Sequence, residues 1–452
     1  MTLLPTTARR LDLRAATLQT KGRIPSLVTG LVRDSHLVWS AARGTFPEHA
    51  DPGELQFRIG SITKTFVAVV VLQLRDAGAL RLTDTVDQYV PGTPFGDRTL
   101  TELLTHTGGL AAELPGSWWE RSPGVDRQGL HEALAQGTVL DRQGRHVHYS
   151  NIAFAVLGEV IAAVTGRSWD EVLTAQVLGP LQMDSTTTSA RSPFATGYAV
   201  HPYADVLLPE TIQDTGAMAP AGQLWSTVGD LSRWAAFLAG DTADVLHTDT
   251  LDEMCEPTAL ASGSQWASAR GLGVQVTRRA GRLLVGHGGS MPGFQAGVQV
   301  DREAGLGVVT LMNCTTPGDV EGLDDPFDIV EDCEPRLPQE WVARADVPAD
   351  VLALTGSWFW GTSEGTVRVL DEGWIELQRV SGMTSTSRFR PTGTDTWVGL
   401  DGYHRGEALR VRRAADGEPQ TLDVGTFVFT RRPYEPSEFI PGGLDGGGWP
   451  VT

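Results

Sequence analysis

Between Ile62 and Leu74 the apolar side chains Ile62, Phe66, Val67, Val69, Val70, Val71, Leu72 and Leu74 fall on nearly every face of a helical projection. A helix that is apolar all round cannot lie on a surface, because each face needs another layer against it. The continuous apolar stretch, Phe66 to Leu72, is far short of the roughly 20 residues that span a bilayer, so the covering layers must be protein. The spacing predicts a helix from Ser61 to about Ala77, with Gly78 as its C-terminal stop. The chain is expected to fold around this buried helix.

The same helix carries a lysine, and this chain has only two, Lys21 and Lys64. Arginine supplies the rest of the positive charge. Arginine keeps its proton at any accessible pH, whereas a buried lysine can lose it and act as a base. Ser61 precedes Lys64 by three residues, about one helical turn, on the same face. A serine is a poor nucleophile until a base takes its proton, and Ser61 with Lys64 forms such a pair. The alternative reading of Ser61 is a simple helix cap.

The 452 residues suffice for two or three domains. A net charge of −19 disfavours nucleic acid or an anionic membrane as partner. The three cysteines, Cys255, Cys314 and Cys333, show no metal or disulfide spacing. The start, Met1 to Arg10, has no apolar signal core, so a complete cytoplasmic chain is expected. No cofactor fingerprint and no metal site is read; His146 and His148 lack a third ligand at a convincing spacing.

Residues 26 to 43 alternate as two strands around Arg33-Asp34-Ser35. Helices and loops follow from about 80 to 240, including a capping box at Thr99 to Glu102 and an apolar helix from Tyr149 to about Thr165. Strands return at 271–277, 283–287, 294–300 and 306–313. Strands at both ends with helices between imply an α+β domain over 1–335, its antiparallel sheet joining both ends. Residues 318 to 335 are acidic, and 336–349 read as a linker. From 350 to 452 a Trp- and Gly-rich pattern of short strands, with turns at Asp371-Glu372-Gly373, Gly393-Thr394-Asp395 and Asp416-Gly417, reads as a small barrel or sandwich.

Two further segments carry chemistry. Tyr149-Ser150-Asn151 contains one of only two asparagines. Tyr149 is a candidate second general base or acid, with its phenol pKa lowered by Lys64. The Asn151 amide is a candidate donor to a substrate carbonyl or a partner of Lys64. Gly286-His287-Gly288-Gly289-Ser290 is expected at a strand end, where Gly288 and Gly289 leave an edge open to a substrate backbone and His287 faces the site. The Ser61 and Ser290 N–H groups are the candidate oxyanion hole. Trp118 and Trp119, in a Gly- and Pro-flanked loop, form either a lid over an apolar peptide or loop packing.

The order Ser-x-x-Lys, Tyr-x-Asn, His-x-Gly resembles the serine β-lactamase and penicillin-binding-protein superfamily, nearest its class C-like branch. Leu103 to Leu110, Ala221 to Leu231 (with Trp225 as a substrate-binding candidate) and His287 to Phe294 resemble landmark segments of that branch. The similarity covers roughly residues 20 to 315. His287 stands where true β-lactamases and penicillin targets usually have Lys-Thr-Gly, and resembles esterases, D-aminopeptidases and peptide cyclases. Residues 350 to 435 resemble the lipocalin-like domain of standalone penicillin-binding-protein-type thioesterases of nonribosomal peptide pathways. The resemblance implies a peptidyl thioester or ester substrate, carrier-bound in some cases, an acyl-Ser61 intermediate and head-to-tail macrocyclisation. The alternative is a serine hydrolase of the same branch. Arg431 is the residue expected to reach from the β domain toward the site.

Overall fold

The computed structural model describes residues 2–434 apart from 137–138, 141, 143, 145, 262–265, 319–321, 339, 344–345, 371–372, 380–385 and 426. The chain forms two compact units, residues 1–336 and 337–452.

The first unit is an α+β domain. Its strands are β1 (Ser26–Arg33), β2 (His36–Gly44), β3 (Phe57–Arg58), β4 (Tyr198–Val200), β5 (Leu207–Pro209), β6 (Trp225–Ser226), β7 (Ala259–Leu260), β8 (Ser268–Arg270), β9 (Gln275–Arg279), β10 (Arg282–Met291), β11 (Phe294–Asp301) and β12 (Leu306–Met312). Its helices are α1 (Pro5–Lys21), α2 (Thr63–Asp76), α3 (Leu100–Leu104), α4 (Arg127–Leu134), α5 (Asn151–Thr165), α6 (Trp169–Leu173), α7 (Val228–Ala239), α8 (Thr248–Cys255) and α9 (Pro326–Cys333). An eight-stranded antiparallel sheet has the order β2-β1-β12-β11-β10-β9-β8-β7. The N-terminal hairpin thus pairs with β12, and the two ends of the unit close one sheet.

Strand β1 is buried along almost its whole length because helices cover both faces of the sheet there. Leu27 and Leu31 face α1 and α9, whereas Val28 and Val32 face the interior holding α2 and α7. Helix α1 escaped the sequence reading. Its signal is the spacing of Leu11, Ala15 and Leu18, all buried, in a segment of otherwise low apolar content. Helix α2 has the expected burial, with Phe66 stacked on Trp234 of α7 at 3.8 Å between ring centres. The β1–β2 turn places Asp34 (φ 49°) and Ser35 (φ 65°) in the left-handed region, as a two-residue hairpin loop requires. No single helix among the described residues is long and apolar enough to cross a membrane.

Two boundaries differ from expectation. Gly271 to Val274 form the turn between β8 and β9 and not the start of a strand. His287 lies in mid-strand, because β10 continues to Met291 and pairs with β11 from Leu284 onward, closing on Met291 opposite Phe294 across Pro292-Gly293. Alternation along that ladder leaves the Ser290 N–H pointing away from β11. Strand β9 pairs with β10 only as far as Gly286, so His287 to Met291 keep an open edge on that side among the described strands.

The second unit is a closed barrel of eight antiparallel strands: β13 (Gly356–Trp360), β14 (Ser363–Val369), β15 (Ile375–Arg379), β16 (Thr386–Gly393), β17 (Thr396–Gly399), β18 (Ala408–Arg413), β19 (Pro419–Val424) and β20 (Phe427–Thr430). This is consistent with a lipocalin-like domain and resolves the choice between barrel and sandwich. Short helix α10 (Ala349–Leu352) precedes it, and Trp358 Nε1 donates to Leu354 O at 2.7 Å. Trp358, Phe389 and Trp397 fill the interior. The turn at Asp371-Glu372 lies outside the described residues, as do residues 435–452.

Candidate active site

Ser61 sits in a 3₁₀ turn, Gly60–Ile62, immediately before α2. That turn lies against β10, and two glycines permit the approach. A Cβ on Gly60 (φ 50°) would stand 2.6 Å from Ser290 N, and one on Gly289 would stand 1.8 Å from Ile59 O. Any side chain at either position would push the backbones apart. The Ser290 N–H, on the open edge of β10, and the Ser61 N–H, at the start of a helix, thus belong to backbone segments in close approach.

Lys64 is fully buried. Its Nζ lies 2.9 Å from Ser61 Oγ, 2.7 Å from Asn151 Oδ1 and 2.5 Å from Ala221 O. Burial lowers its pKa to about 7; Arg270 acts in the same direction, and Glu113 and Glu120 oppose. A neutral amine has two N–H donors and one lone pair. Asn151 Oδ1 and Ala221 O take the donors, which leaves the lone pair for the Ser61 hydroxyl proton.

Tyr149 precedes α5, whose N-cap is Ser150, with Oγ accepting from Ala153 N–H at 3.2 Å. The Tyr149 hydroxyl donates to Ser61 Oγ at 2.7 Å. Its pKa is raised, chiefly by burial, which corrects the expectation of a phenol acidified by Lys64. Desolvation outweighs the neighbouring charge, so Tyr149 rests as a proton donor. The His106 ring packs on it at 4.4 Å between ring centres, and His106 Nδ1 accepts the Ser150 N–H at 3.0 Å. The centre of the His287 ring lies 6.0 Å from that of Tyr149. Burial, with Arg270 and Lys64 adding, drops its pKa to about 3, so it stays neutral.

Asn151 bridges Lys64 to an acid that the sequence reading missed. Asn151 Nδ2 donates to Glu113 Oε1 at 2.7 Å, and Trp119 Nε1 donates to Glu113 Oε2 at 2.6 Å. Glu113 follows the Thr-His-Thr-Gly-Gly segment by four residues, and nothing in its local sequence marks it. Trp119 is buried and Trp118 exposed, so the Trp pair divides between packing and surface.

Three further candidates have the following surroundings. Trp225 is 1% exposed and packs edge-on against Phe294 and Phe194. Gly288 alternates to the opposite face from His287 and Gly289, where a Cβ would meet open space. The Arg431 guanidinium is engaged within its own barrel, donating to Thr355 O at 2.9 Å, to Ser357 O at 3.2 Å and to Ala353 O, and lying over the Trp358 ring. Among the described residues no group of three or more His, Cys, Asp and Glu side chains is arranged to hold a metal ion.

Comparison with known proteins matches two family models: Beta-lactamase over residues 11–330 and Domain of unknown function (DUF7586) over residues 347–431. The D-alanyl-D-alanine-carboxypeptidase/endopeptidase AmpH of Escherichia coli (strain K12) is 29% identical over 188 residues, 39% of this chain and 47% of that protein. The chain spans about half the length of the curated relatives it matches first. Among solved structures, a D-stereospecific amidohydrolase from Streptomyces sp. superposes with a TM-score of 0.60 at 25% identity, covering 71% of this chain and 98% of that one. The structure of SurE follows 94% of this chain and 99% of its own, with a TM-score of 0.59 at 22% identity, and so shares the fold across both units.

Proposed function

The chain belongs to the Beta-lactamase family of serine enzymes, and on that premise we propose that it transfers acyl groups through an ester on Ser61. The observation that carries the reading is the Lys64 amine, buried, shifted to about 7 and 2.9 Å from Ser61 Oγ. The Ser61 proton passes to Lys64 Nζ as Oγ bonds to the substrate carbonyl carbon. The oxyanion is held by the Ser61 and Ser290 N–H groups. As the tetrahedral intermediate collapses, Tyr149 gives its proton to the leaving thiol, alcohol or amine and regains one from Lys64. Asn151 and Glu113 hold the amine in place, and His106 holds the Tyr149 ring.

The acyl acceptor decides the product. The leading proposal is a peptidyl thioester or ester as donor, handed over by a carrier protein in the thioester case, and the peptide's own amine as acceptor. The product is a head-to-tail macrolactam. Its support is the motif order with His287 in the third position, joined to a barrel unit. The second reading is hydrolysis of a D-configured amide or peptide, favoured by the likeness to the D-stereospecific amidohydrolase over nearly all of that chain. Incubation with a peptidyl N-acetylcysteamine thioester separates them, because the cyclic product is lighter than the hydrolysed acid by one water. Intact-protein mass spectrometry should find an acyl adduct on the wild type and none on Ser61→Ala. An adduct surviving in that variant overturns the assignment.

A further inference from the structure

The β8–β9 turn brings to the site a charge that no motif segment contains. Arg270 ends β8, and the turn after it is pinned. Leu272 N–H donates to Met254 O at 3.0 Å and Gly273 N–H to Leu104 O at 3.1 Å. Gly273 (φ 80°) lies so close to Ala68 of α2 that a Cβ there would clash at 2.3 Å. The Arg270 guanidinium carbon lies 5.2 Å from the centre of the Tyr149 ring. Its Nε and Nη1 are buried and have no hydrogen-bond partner among the described residues. Buried guanidinium nitrogens without acceptors are costly, and such groups call for an explanation.

The surrounding groups supply one. His106 and His287 are uncharged. Lys64 is poised near neutrality, with Glu113 and Glu120 facing it from the loop after α3 and Tyr149 and Asn151 from α5 and its entrance. Arg270 is the permanent cation beside the Tyr149 ring among the described residues. We propose that Arg270 is a positioning residue whose guanidinium supplies, through Tyr149, the fixed positive charge against which the Ser61 proton moves. The field acts twice. It opposes a second positive charge on Lys64, so the amine meets Ser61 unprotonated. It favours negative charge on the Tyr149 oxygen at the moment the phenol protonates the leaving group.

The inference rests on the acyl-Ser61 reading, and the test separates the two. The profile of kcat/KM against pH is measured for wild type, Arg270→Gln and Arg270→Lys. The probes are p-nitrophenyl acetate and the carboxylate-bearing mono-p-nitrophenyl glutarate. In Arg270→Gln the acid limb should move up by about one pH unit, with a loss of roughly tenfold at neutral pH, equal for both esters and recovered at high pH. Arg270→Lys keeps the charge and should keep the limb, and it carries the test if the Gln variant does not fold. An unmoved limb with a raised KM for the glutarate ester alone makes Arg270 a substrate-carboxylate contact and overturns the proposal. So does an equal loss in both variants at every pH, which marks a structural role. A wild type that turns over neither ester and takes no fluorophosphonate label defeats the acyl-Ser61 reading itself.

Discussion

Each unit holds a basic side chain against main-chain carbonyls, and the two differ in what else those side chains meet. In the barrel, Arg431 donates to the carbonyls of Ala353, Thr355 and Ser357 and lies over Trp358. Its donors meet acceptors that do no chemistry, and a guanidinium does not give up its proton. In the catalytic unit, Lys64 also meets a carbonyl, that of Ala221, and an amide, that of Asn151. Its third direction meets Ser61 Oγ, and burial has made its proton negotiable. One cation ties a chain segment to a barrel; the other is arranged to move a proton. The difference lies in a charge that burial makes exchangeable and in an oxygen within reach, and not in hydrogen bonding as such.

The comparison breaks most sharply at Lys64→Arg. An arginine can keep the contacts with Asn151 and Ala221 but cannot serve as a base, so kcat/KM should fall on the order of 10³-fold with little loss of folded protein. Steady-state assay with circular dichroism on the same sample decides this, and activity within tenfold of wild type would remove Lys64 from the mechanism.

The pH dependence tests the same point in the wild type. The amine is active when neutral, so kcat/KM should rise as pH rises through about 7 and fall up to tenfold per unit below it. Stability carries the complementary sign. The folded-state pKa of Lys64 lies below its ordinary value of 10.5, so the unfolded chain binds more protons between those limits. Its burial is therefore most destabilising below about pH 7, and that cost declines as pH rises toward 10.5. The melting temperature of wild type relative to Lys64→Met should increase across that interval, and a flat difference would contradict the shift.

Arg431→Ala tests the other half. Removing the guanidinium leaves three carbonyls without their donor, a cost of about 1–3 kcal/mol to the barrel. Ser61 labelling should be unchanged at temperatures where the variant is folded. A loss of kcat/KM there would return Arg431 to the catalytic machinery. The smallest effect is expected at Ser150→Ala, which removes the N-cap of α5 and should cost about 1 kcal/mol by denaturant titration.

Much of the site could be read from scarce residues. Two lysines and two asparagines in a long chain made Lys64 and Asn151 conspicuous, and the structure places both within hydrogen-bond reach of each other. Tyr149 was found by its spacing to Asn151, but its pKa was assigned the wrong direction because charge was weighed without burial. Trp225 was singled out because it sits in a landmark segment, and chain position did not reveal that it is buried. Glu113 and Arg270 carry no local signature. Each matters through neighbours 38 and 121 residues away, Asn151 and Tyr149 respectively. Helix α1 was missed for a different reason: three buried apolar positions in seventeen residues give a weak stripe.

The sequence by itself determined the buried helix, the hairpin chain of the barrel, the sheet that joins both ends of the first unit, and the order of the reactive residues. Those follow from side-chain period and turn chemistry, which act between near neighbours along the chain. Only the tertiary structure decided which groups are charged and where: a neutralisable Lys64, a resting phenol at Tyr149, an uncharged His287 and an Arg270 guanidinium beside the Tyr149 ring. Desolvation and Coulomb fields sum over every atom within a few ångströms, whatever its place in the chain, and that neighbourhood exists only once the fold has closed around it.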